Sequence, residues 1–308
     1  MKWEKKGLVF STGINATYAS LPTILELHGN IFRVFYADRD RNNISNIRFF
    51  DMIVENDKCE ILRSSHRPVL TAGNIATFDE HGVTPSMAMY VDGKIYLYYT
   101  GWQRLDSVPF NFAIGLAISE DGYTFKRYRE VPLIDRNEYS PFLVASPFVI
   151  YEDGRFRMWY VGGVKWENNG CSGANHRFRH YYNIRYAESM DGIEWTLYPE
   201  PCIDFQYENE YAIARPVVLK ESGIYKMWFS YREGPKGSTY RIGYAESKDG
   251  IHWVRKDEFV GIDVSKIGWD SEMICYAYVI KHENKKYMFY NGNGYGRTGI
   301  GYAVLEEE

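Results

Sequence analysis

The feature that most restricts how this chain folds is an internal repeat. Five times, an apolar segment opening on X-Pro or X-Tyr leads through a short turn into an aromatic-rich segment. The first segments read SLPTILEL, VTPSMAMY, ASPFVIYE, ARPVVLKE and YAYVIKHE. The second read IFRVFYAD, IYLYYTGW, FRMWYVGG, YKMWFSYR and KYMFYNGN. A third follows each pair: SNIRFFDM, FAIGLAIS, NIRYAESM, YRIGYAES and GIGYAVLE. With Pro22, Pro85, Pro147, Pro216 and Tyr278 taken as equivalent, the steps are 63, 62, 69 and 62 residues. The longest step carries the insertion KWENNGCSGANHRFRHYY. A fixed period of this length, with no long helical periodicity inside it, marks a repeat architecture made of strands.

Roughly 60 residues holding four short strands form one blade of a β-propeller. The expected fold is therefore all-β: a five-bladed β-propeller in a single domain spanning 1–308. Its blades lie at roughly 14–70, 78–134, 140–203, 208–260 and 269–308 plus 5–12. In three repeats the motifs SEDGYTF, SMDGIEW and SKDGIHW place Asp-Gly at the turn into a fourth strand. The fifth repeat ends without a fourth strand, and KGLVFST near the N-terminus is expected to supply it and close the ring.

Composition narrows the function. Hydrophobic residues at 45%, charged residues at 25% and a net charge of −4 describe an ordinary globular chain. Nothing marks a nucleic-acid or membrane partner. No apolar run approaches the ~18 residues of a membrane span, and MKWEKKGLVFSTG lacks the apolar core of a signal peptide. Cys59, Cys171, Cys202 and Cys275 are scattered with no C-x-x-C. These features point to a cytoplasmic protein with reduced thiols, no cofactor and no metal site, and leave the oligomeric state open. Twenty-seven tyrosines suit both a β-rich chain and a sugar-binding one.

Propeller geometry decides which residues share a pocket. The start of each innermost strand, the end of the second strand and the loop after it fall on one face; the Asp-Gly turns fall on the other. The residues before the Pro equivalents are Leu21, Thr84, Ser146, Arg215 and Ala277, and five residues earlier stand Ala16, Asp79, Pro141, Glu210 and Glu272. The second strands end at Asp38, Gly101, Gly162, Tyr231 and Gly292, followed by Arg39, Trp102, Gly163, Arg232 and Asn293. Asp38, Asp79, Glu80, His81, Glu210, Arg215, Arg232, Asp270 and Glu272 are thus expected at one mouth. Carboxylates facing each other across an aromatic funnel are what glycosyl chemistry needs: one protonates the leaving oxygen, another is nucleophile or base. Glu272 or Glu210 would be the acid, with Asp38 or Asp79 as base or nucleophile. Arg215 and Arg232 would grip an anionic group, Trp102 and Tyr231 would stack on a sugar, and Glu80, His81, Asp270 and Asn293 would line the site. The plainer alternatives stay open. Asp270 and Glu272 would cap a turn, Asp79 to His81 would form a loop ion pair, Glu208 would stand in for Glu210, and Asp40 belongs to a charged turn. GNGYGRTG contains G-x-G-x-x-G, but only IGYAVLEEE follows it, too short for a dinucleotide-binding unit. The insertion, with His176, Arg177, Arg179 and His180, is a basic segment that would cover the mouth.

FDEHGVTPSM, YLYYTGW, AIARPVV, YRIGYAESKDGIHW, WDSEMICYAYV and YMFYNGNGYG together resemble the five-bladed propeller glycosidase superfamily of glycoside hydrolase families 32, 43 and 130. Within it the chain is most similar to a bacterial glycosyl hydrolase-like group associated with surface-polysaccharide genes. The resemblance implies a carbohydrate or nucleotide-sugar substrate and cleavage or transfer of a glycosidic bond; a non-catalytic carbohydrate-binding propeller is the alternative. It aligns Glu210 with the acid of families 32 and 43, and FYADRD with an Asp-bearing motif of family 130 in another blade. The first-blade acid of families 32 and 43 has no counterpart in NATYASLP, and their third-blade acid has no clear match in YSPFLVASP.

Overall fold

The computed structural model describes residues 1–12, 18–168, 178–235 and 237–307. Ala16, Cys171, His176 and Arg177 lie outside the described residues. The chain is nearly all strand, in four-stranded antiparallel units that follow one another along the sequence. Strand β1 (Lys2–Phe10) comes first. The first unit is β2 (Ser20–His28), β3 (Ile31–Arg39), β4 (Ser45–Glu55) and β5 (Lys58–Ser64). The second is β6 (Val83–Val91), β7 (Lys94–Gln103), β8 (Asn111–Ser119) and β9 (Lys126–Arg127). The third is β10 (Val144–Glu152), β11 (Arg155–Asn168), β12 (Phe178–Ser189) and β13 (Thr196–Leu197). The fourth is β14 (Ala212–Glu221), β15 (Ile224–Arg232), β16 (Arg241–Ser247) and β17 (Trp253–Arg255), joined to the third by one parallel pairing, Tyr182 with Ala212. The last is β18 (Cys275–His282), β19 (Lys285–Asn291) and β20 (Ile300–Glu307), with β1 running antiparallel along β20 as its outermost strand. The innermost strands touch in cyclic order: β2 against β6, β6 against β10, β10 against β14, β14 against β18, and β18 against β2.

Each innermost strand carries a register shift near its start. It falls between Ser20 and Thr23, Pro85 and Met87, Ala145 and Phe148, Ala214 and Val217, and Cys275 and Tyr278. In four units the bulge residue is left-handed: Leu21 (φ 59°), Ser146 (φ 48°), Arg215 (φ 57°) and Tyr276 (φ 57°). For a residue with a Cβ this costs on the order of 1 kcal/mol or more, so surrounding contacts must hold it. In three units the bulge amide is bonded by a side chain of the preceding unit. Ser146 N donates to Thr100 Oγ1, Tyr276 N to Ser230 Oγ and Leu21 N to Asn291 Oδ1, each at 2.8 Å. Proline follows the bulge residue in three units because it has no N–H to lose. This register corrects the repeat alignment: Ala277, not Tyr278, stands where the first, third and fourth units have proline, Tyr276 is the counterpart of Arg215, and Pro85 of the second unit stands one residue earlier, at the bulge residue's place.

At the opposite end the Asp-Gly turns act as latches. Asp121, Asp191 and Asp249 accept the amides two and three residues on, and Gly122, Gly192 and Gly250 sit at φ 75°, 74° and 79°. The glycine carbonyls accept from the second strand of the preceding unit: Gly122 from Arg33, Gly192 from Tyr98, Gly250 from Trp159. The glycine-rich 293–299 segment forms a turn in which Gly294 and Tyr295 are left-handed, at φ 65° and 61°, and leads into β20. Among the described residues no helix is long and apolar enough to cross a membrane.

Cys59, Cys202 and Cys275 are free thiols within this packing. Burial pushes the first two up to about 12, and Cys275 well above the usual thiol range. At pH 8 in native buffer these three are expected to be inert to a thiol-specific colorimetric reagent and to react once denaturant is added. Rapid native labelling of any of them, located by peptide mapping, would contradict the packing described.

Candidate functional site

A cavity opens where the innermost strands begin, and all the units contribute to its wall. Leu21, Thr84, Ala145, Ser146, Ala214 and Tyr276 come from the starts of β2, β6, β10, β14 and β18. Arg39, Thr100, Trp102 and Val161 come from the ends of β3, β7 and β11. Phe112 and Tyr182 stand on β8 and β12, and Leu143 in the loop before β10. Three bulge residues, Leu21, Ser146 and Tyr276, therefore form part of the floor. The wall is aromatic and holds one cation; among the described residues lining it there is no Asp or Glu.

The expected acids are mostly engaged elsewhere. Asp79 is fully buried, and its Oδ2 accepts from Arg127 Nε on β9 at 2.7 Å and from the Tyr99 hydroxyl on β7 at 3.0 Å. Glu210 accepts both guanidinium nitrogens of Arg255 on β17, at 2.8 and 2.9 Å. Asp270 accepts from Lys5 Nζ on β1 at 2.6 Å and from the Tyr290 hydroxyl at 2.9 Å. In each case the loop entering an innermost strand is tied to the outermost strand of the same unit. Close packing enforces it: a Cβ on Gly101 would lie 2.5 Å from Asp79 Cβ, and one on Gly162 would lie 2.3 Å from Ser140 Oγ, which takes the acid's place in the third unit. By these partners Asp270, not Glu272, is the counterpart of Asp79 and Glu210.

Other expected site residues also serve the scaffold. Asp38 bonds Arg48 Nε at 2.7 Å, across to β4, and Asp40 caps its own turn at the amides of Asn42 and Ile44. Glu80 clamps its loop through Ala76 N and Gln103 Nε2, which hold its carboxyl below the usual range, while the His81 amide donates to the Trp102 carbonyl. Asn293 accepts the amides of Glu272 and Met273 and donates to the Gly268 carbonyl. Tyr231 is 1% exposed and packs against Tyr207, Phe229 and Arg255, so it is core rather than a stacking platform. Arg215, 1% exposed, meets no acid among the described residues. It crosses between inner strands and donates to Pro85 O at 2.8 Å, Pro22 O at 2.9 Å and Thr23 Oγ1 at 2.6 Å. Burial lowers its guanidinium to about 10, which leaves it charged at neutral pH.

What the structure leaves at the mouth differs from the expected set. Trp102 lines the cavity, with Arg39 and Arg104 at 5.1 and 5.8 Å from its ring centre. Arg232 lies over Tyr211 and Tyr240 at 5.1 and 5.3 Å. The Tyr240 hydroxyl bonds that of Tyr182, and the Tyr240 ring packs on Tyr276. His180 stacks on Tyr182 and packs among Phe110, Trp166 and Tyr211; burial, helped by Arg232, lowers its imidazole to about 3. Glu272 is exposed; its carbonyl accepts from Thr239 and Arg241, and its carboxylate has no partner among the described residues. Glu233, in the adjoining loop, is left-handed at φ 58° and also lacks a side-chain partner among the described residues. Sequence reasoning missed Glu233. A second-strand Arg followed by an acid in YREG was the available signal; its counterpart in the repeat is Asp40 after Arg39, which reads as a charged turn.

Comparison with known proteins fits this architecture. No family model matches the chain. Over 99% of its length it superposes on 92% of a solved glycoside hydrolase with a TM-score of 0.77 at 17% identity. Over 98% it superposes on 91% of a thermostable family-43 glycoside hydrolase with a TM-score of 0.63 at 17% identity. The fold is that of the glycoside hydrolase propellers. A stretch of 136 residues, 42% of this chain and 44% of the other, is 28% identical to a 1,2-beta-oligomannan phosphorylase of Thermoanaerobacter sp. (strain X514). Across 99% of its own length and 100% of the other, the chain is 37% identical to the uncharacterized protein Rv1502 of Mycobacterium tuberculosis (strain H37Rv), and it belongs to the same family.

Two outcomes follow from these contacts. Asp79→Asn leaves Arg127 without its buried counter-charge and is expected to cost about 3 kcal/mol in denaturant unfolding; a change within experimental error would show the ion pair to be dispensable. His180 binds no proton in the folded state until well below the ordinary histidine range, whereas the unfolded chain protonates near 6.5. Its contribution to stability is therefore complete above about pH 6.5 and lost as pH falls toward 3. Its ring resonances should stay unshifted between pH 8 and 5, and titration near 6.5 would contradict the buried placement.

Proposed function

We propose that the protein is a single-domain, five-bladed propeller enzyme of the glycosidase type, taking a sugar in the cavity and breaking or transferring a glycosidic bond. The observation that carries this reading is the cavity at the starts of the innermost strands, with Trp102, Phe112, Tyr182 and Tyr276 in its wall and with Glu233 and Glu272 in loops at the same end of the sheets. Cyclic contact of the innermost strands, and pairing of β1 with β20, support the closed ring. Trp102 offers the sugar-stacking face. Glu272 remains the candidate acid, and Glu233 replaces Asp38 and Asp79 as candidate nucleophile or base. In the reaction the anomeric C–O bond breaks and the acid's proton goes to the leaving oxygen. The anomeric carbon bonds either to the second carboxylate or to a water deprotonated by it. The likeness to a bacterial surface-polysaccharide group supports a glycan of that kind as substrate.

One observation favours a second reading, carbohydrate binding without catalysis: no carboxylate lines the described cavity wall. A screen of aryl glycosides and oligosaccharides against the wild type, Glu272→Gln and Glu233→Gln separates the two. Turnover by the wild type with a loss of about 100-fold or more in either variant supports the enzyme, given the 10²–10⁴-fold worth of acid–base groups. Equal turnover by all three removes both residues from the chemistry. Absence of turnover together with Trp102-dependent sugar binding supports the second reading.

A further inference from the structure

The mouth combines two features that do not belong to a site for a neutral sugar. The first is its charge. Arg39 lines the cavity with its Nε buried and without a hydrogen-bond partner. Its only side-chain hydrogen bond is to Asn43 Oδ1 at 3.3 Å, and it forms no ion pair among the described residues. Arg232 likewise has a buried Nε without a partner, and among the described residues its side chain makes neither a hydrogen bond nor an ion pair. A buried Nε without a partner also occurs at Arg129, Arg185, Arg215 and Arg241, but there the terminal guanidinium nitrogens are engaged: Arg129 with Glu194 and the Pro132 carbonyl, Arg185 with the Pro199 carbonyl, and Arg241 with Thr239 and the Tyr240 and Glu272 carbonyls. Arg33 holds Asp51, Arg255 holds Glu210 and Asp257, and Arg215 holds a set of carbonyls. Both residues are half-buried, but a guanidinium whose Nε is closed off from solvent and unmet is costly, so two of them at one mouth require a reason.

The second feature is how they are held. Each is fixed by aromatic rings: Arg39 between Tyr18 and Trp102, at 5.2 and 5.1 Å, and Arg232 over Tyr211 and Tyr240. Rings fix the plane of a guanidinium yet leave its in-plane N–H groups available, the arrangement that bidentate recognition of a carboxylate or phosphate uses. Tyr276 connects the two, lining the cavity with Arg39 and packing on Tyr240 beneath Arg232. We propose that Arg39 and Arg232 form an anion subsite, so that the ligand of this mouth is a sugar accompanied by a negatively charged carboxylate or phosphate group. The inference rests on the carbohydrate reading above and adds the charge of the substrate to it.

Calorimetric titration of the full chain tests it with matched probes: glucuronate, galacturonate and mannuronate against glucose, galactose and mannose, plus the corresponding sugar 1-phosphates and inorganic phosphate alone. The wild type should bind at least one acidic probe about tenfold or more tighter than its neutral counterpart, as expected for charge-assisted bidentate hydrogen bonds. Arg39→Gln and Arg232→Gln should remove that difference while leaving neutral-sugar binding unchanged. Arg39→Lys should restore only part of it, because an ammonium keeps the charge but not the planar fork. Unchanged thermal unfolding of the variants would show that the loss is local. Competition by inorganic phosphate alone would assign the anion to a free co-substrate; inert phosphate with tight uronate or sugar phosphate binding would place the charge on the sugar. Acidic and neutral probes binding alike, or Arg39→Gln weakening both equally, overturns the anion subsite and leaves the carbohydrate reading standing. Binding of no sugar or anion overturns both.

Discussion

The structure depends on one strained feature, the left-handed bulge at the start of the innermost strands. A β-strand that begins at a common axis must bend as it leaves, and a bulge supplies the bend by inserting one residue against the partner strand. The inserted residue turns its amide away from its own sheet, where that donor would go unmet. Thr100, Ser230 and Asn291 meet it from the neighbouring unit. The strain of one unit is thus stabilised only by contact with the next, and no unit is complete alone. The latches at the far end, where glycine carbonyls receive Arg33, Tyr98 and Trp159, repeat the same dependence. The cavity is a by-product: its floor includes the bulge residues Leu21, Ser146 and Tyr276, so the site sits beside the strain.

The fold was legible in the sequence because the period, the alternation of the strands and the Asp-Gly turns are local signals that the architecture copies directly. The repeat alignment slipped by one residue in the second and last units, and the reason is physical. Proline marks the position after the bulge by lacking an N–H, but the true constraint is the left-handed residue before it, and Tyr276 followed by Ala277 satisfies that constraint without a proline. Sequence shows the marker; only the register shows the constraint.

The site was less legible, and the same repeat is responsible. Asp79, Glu210 and Glu272 attracted attention because acids recurred at comparable places in several units, whereas the acids that share surroundings are Asp79, Glu210 and Asp270. Recurrence at equivalent places means equivalent surroundings, and here those are a cation on the outermost strand and, for Asp79 and Asp270, a tyrosine hydroxyl on the second strand. These acids lock incoming loops onto the sheets. Lys5 with Asp270 does so for the strand contributed by the N-terminus, which fixes the two ends of the chain together. Arg215 misled in the same way. Its position was inferred correctly, but a side chain long enough to reach the axis from β14 is also long enough to cross it and bind the carbonyls on the other side.

In a ring of similar units, residues that obey the repeat maintain the ring, so residues that break it are where function is free to reside. Arg39 and Arg232 occupy equivalent positions, yet their counterparts are Trp102, Gly163 and Asn293, and neither arginine meets an acid among the described residues. Glu233 is a left-handed non-glycine residue whose strain no neighbouring unit offsets through its side chain, and Glu272 extends from a backbone pinned by Asn293 and Thr239. With the recurring acids neutralised inside the sheets, these departures from symmetry set the electrostatics of the mouth: guanidiniums framed by aromatic rings, and two unengaged carboxylates in adjoining loops. That polarity selects for a ligand with an apolar sugar face and a negative group, and it arises because the scaffold's own charges are paired where the ligand does not reach.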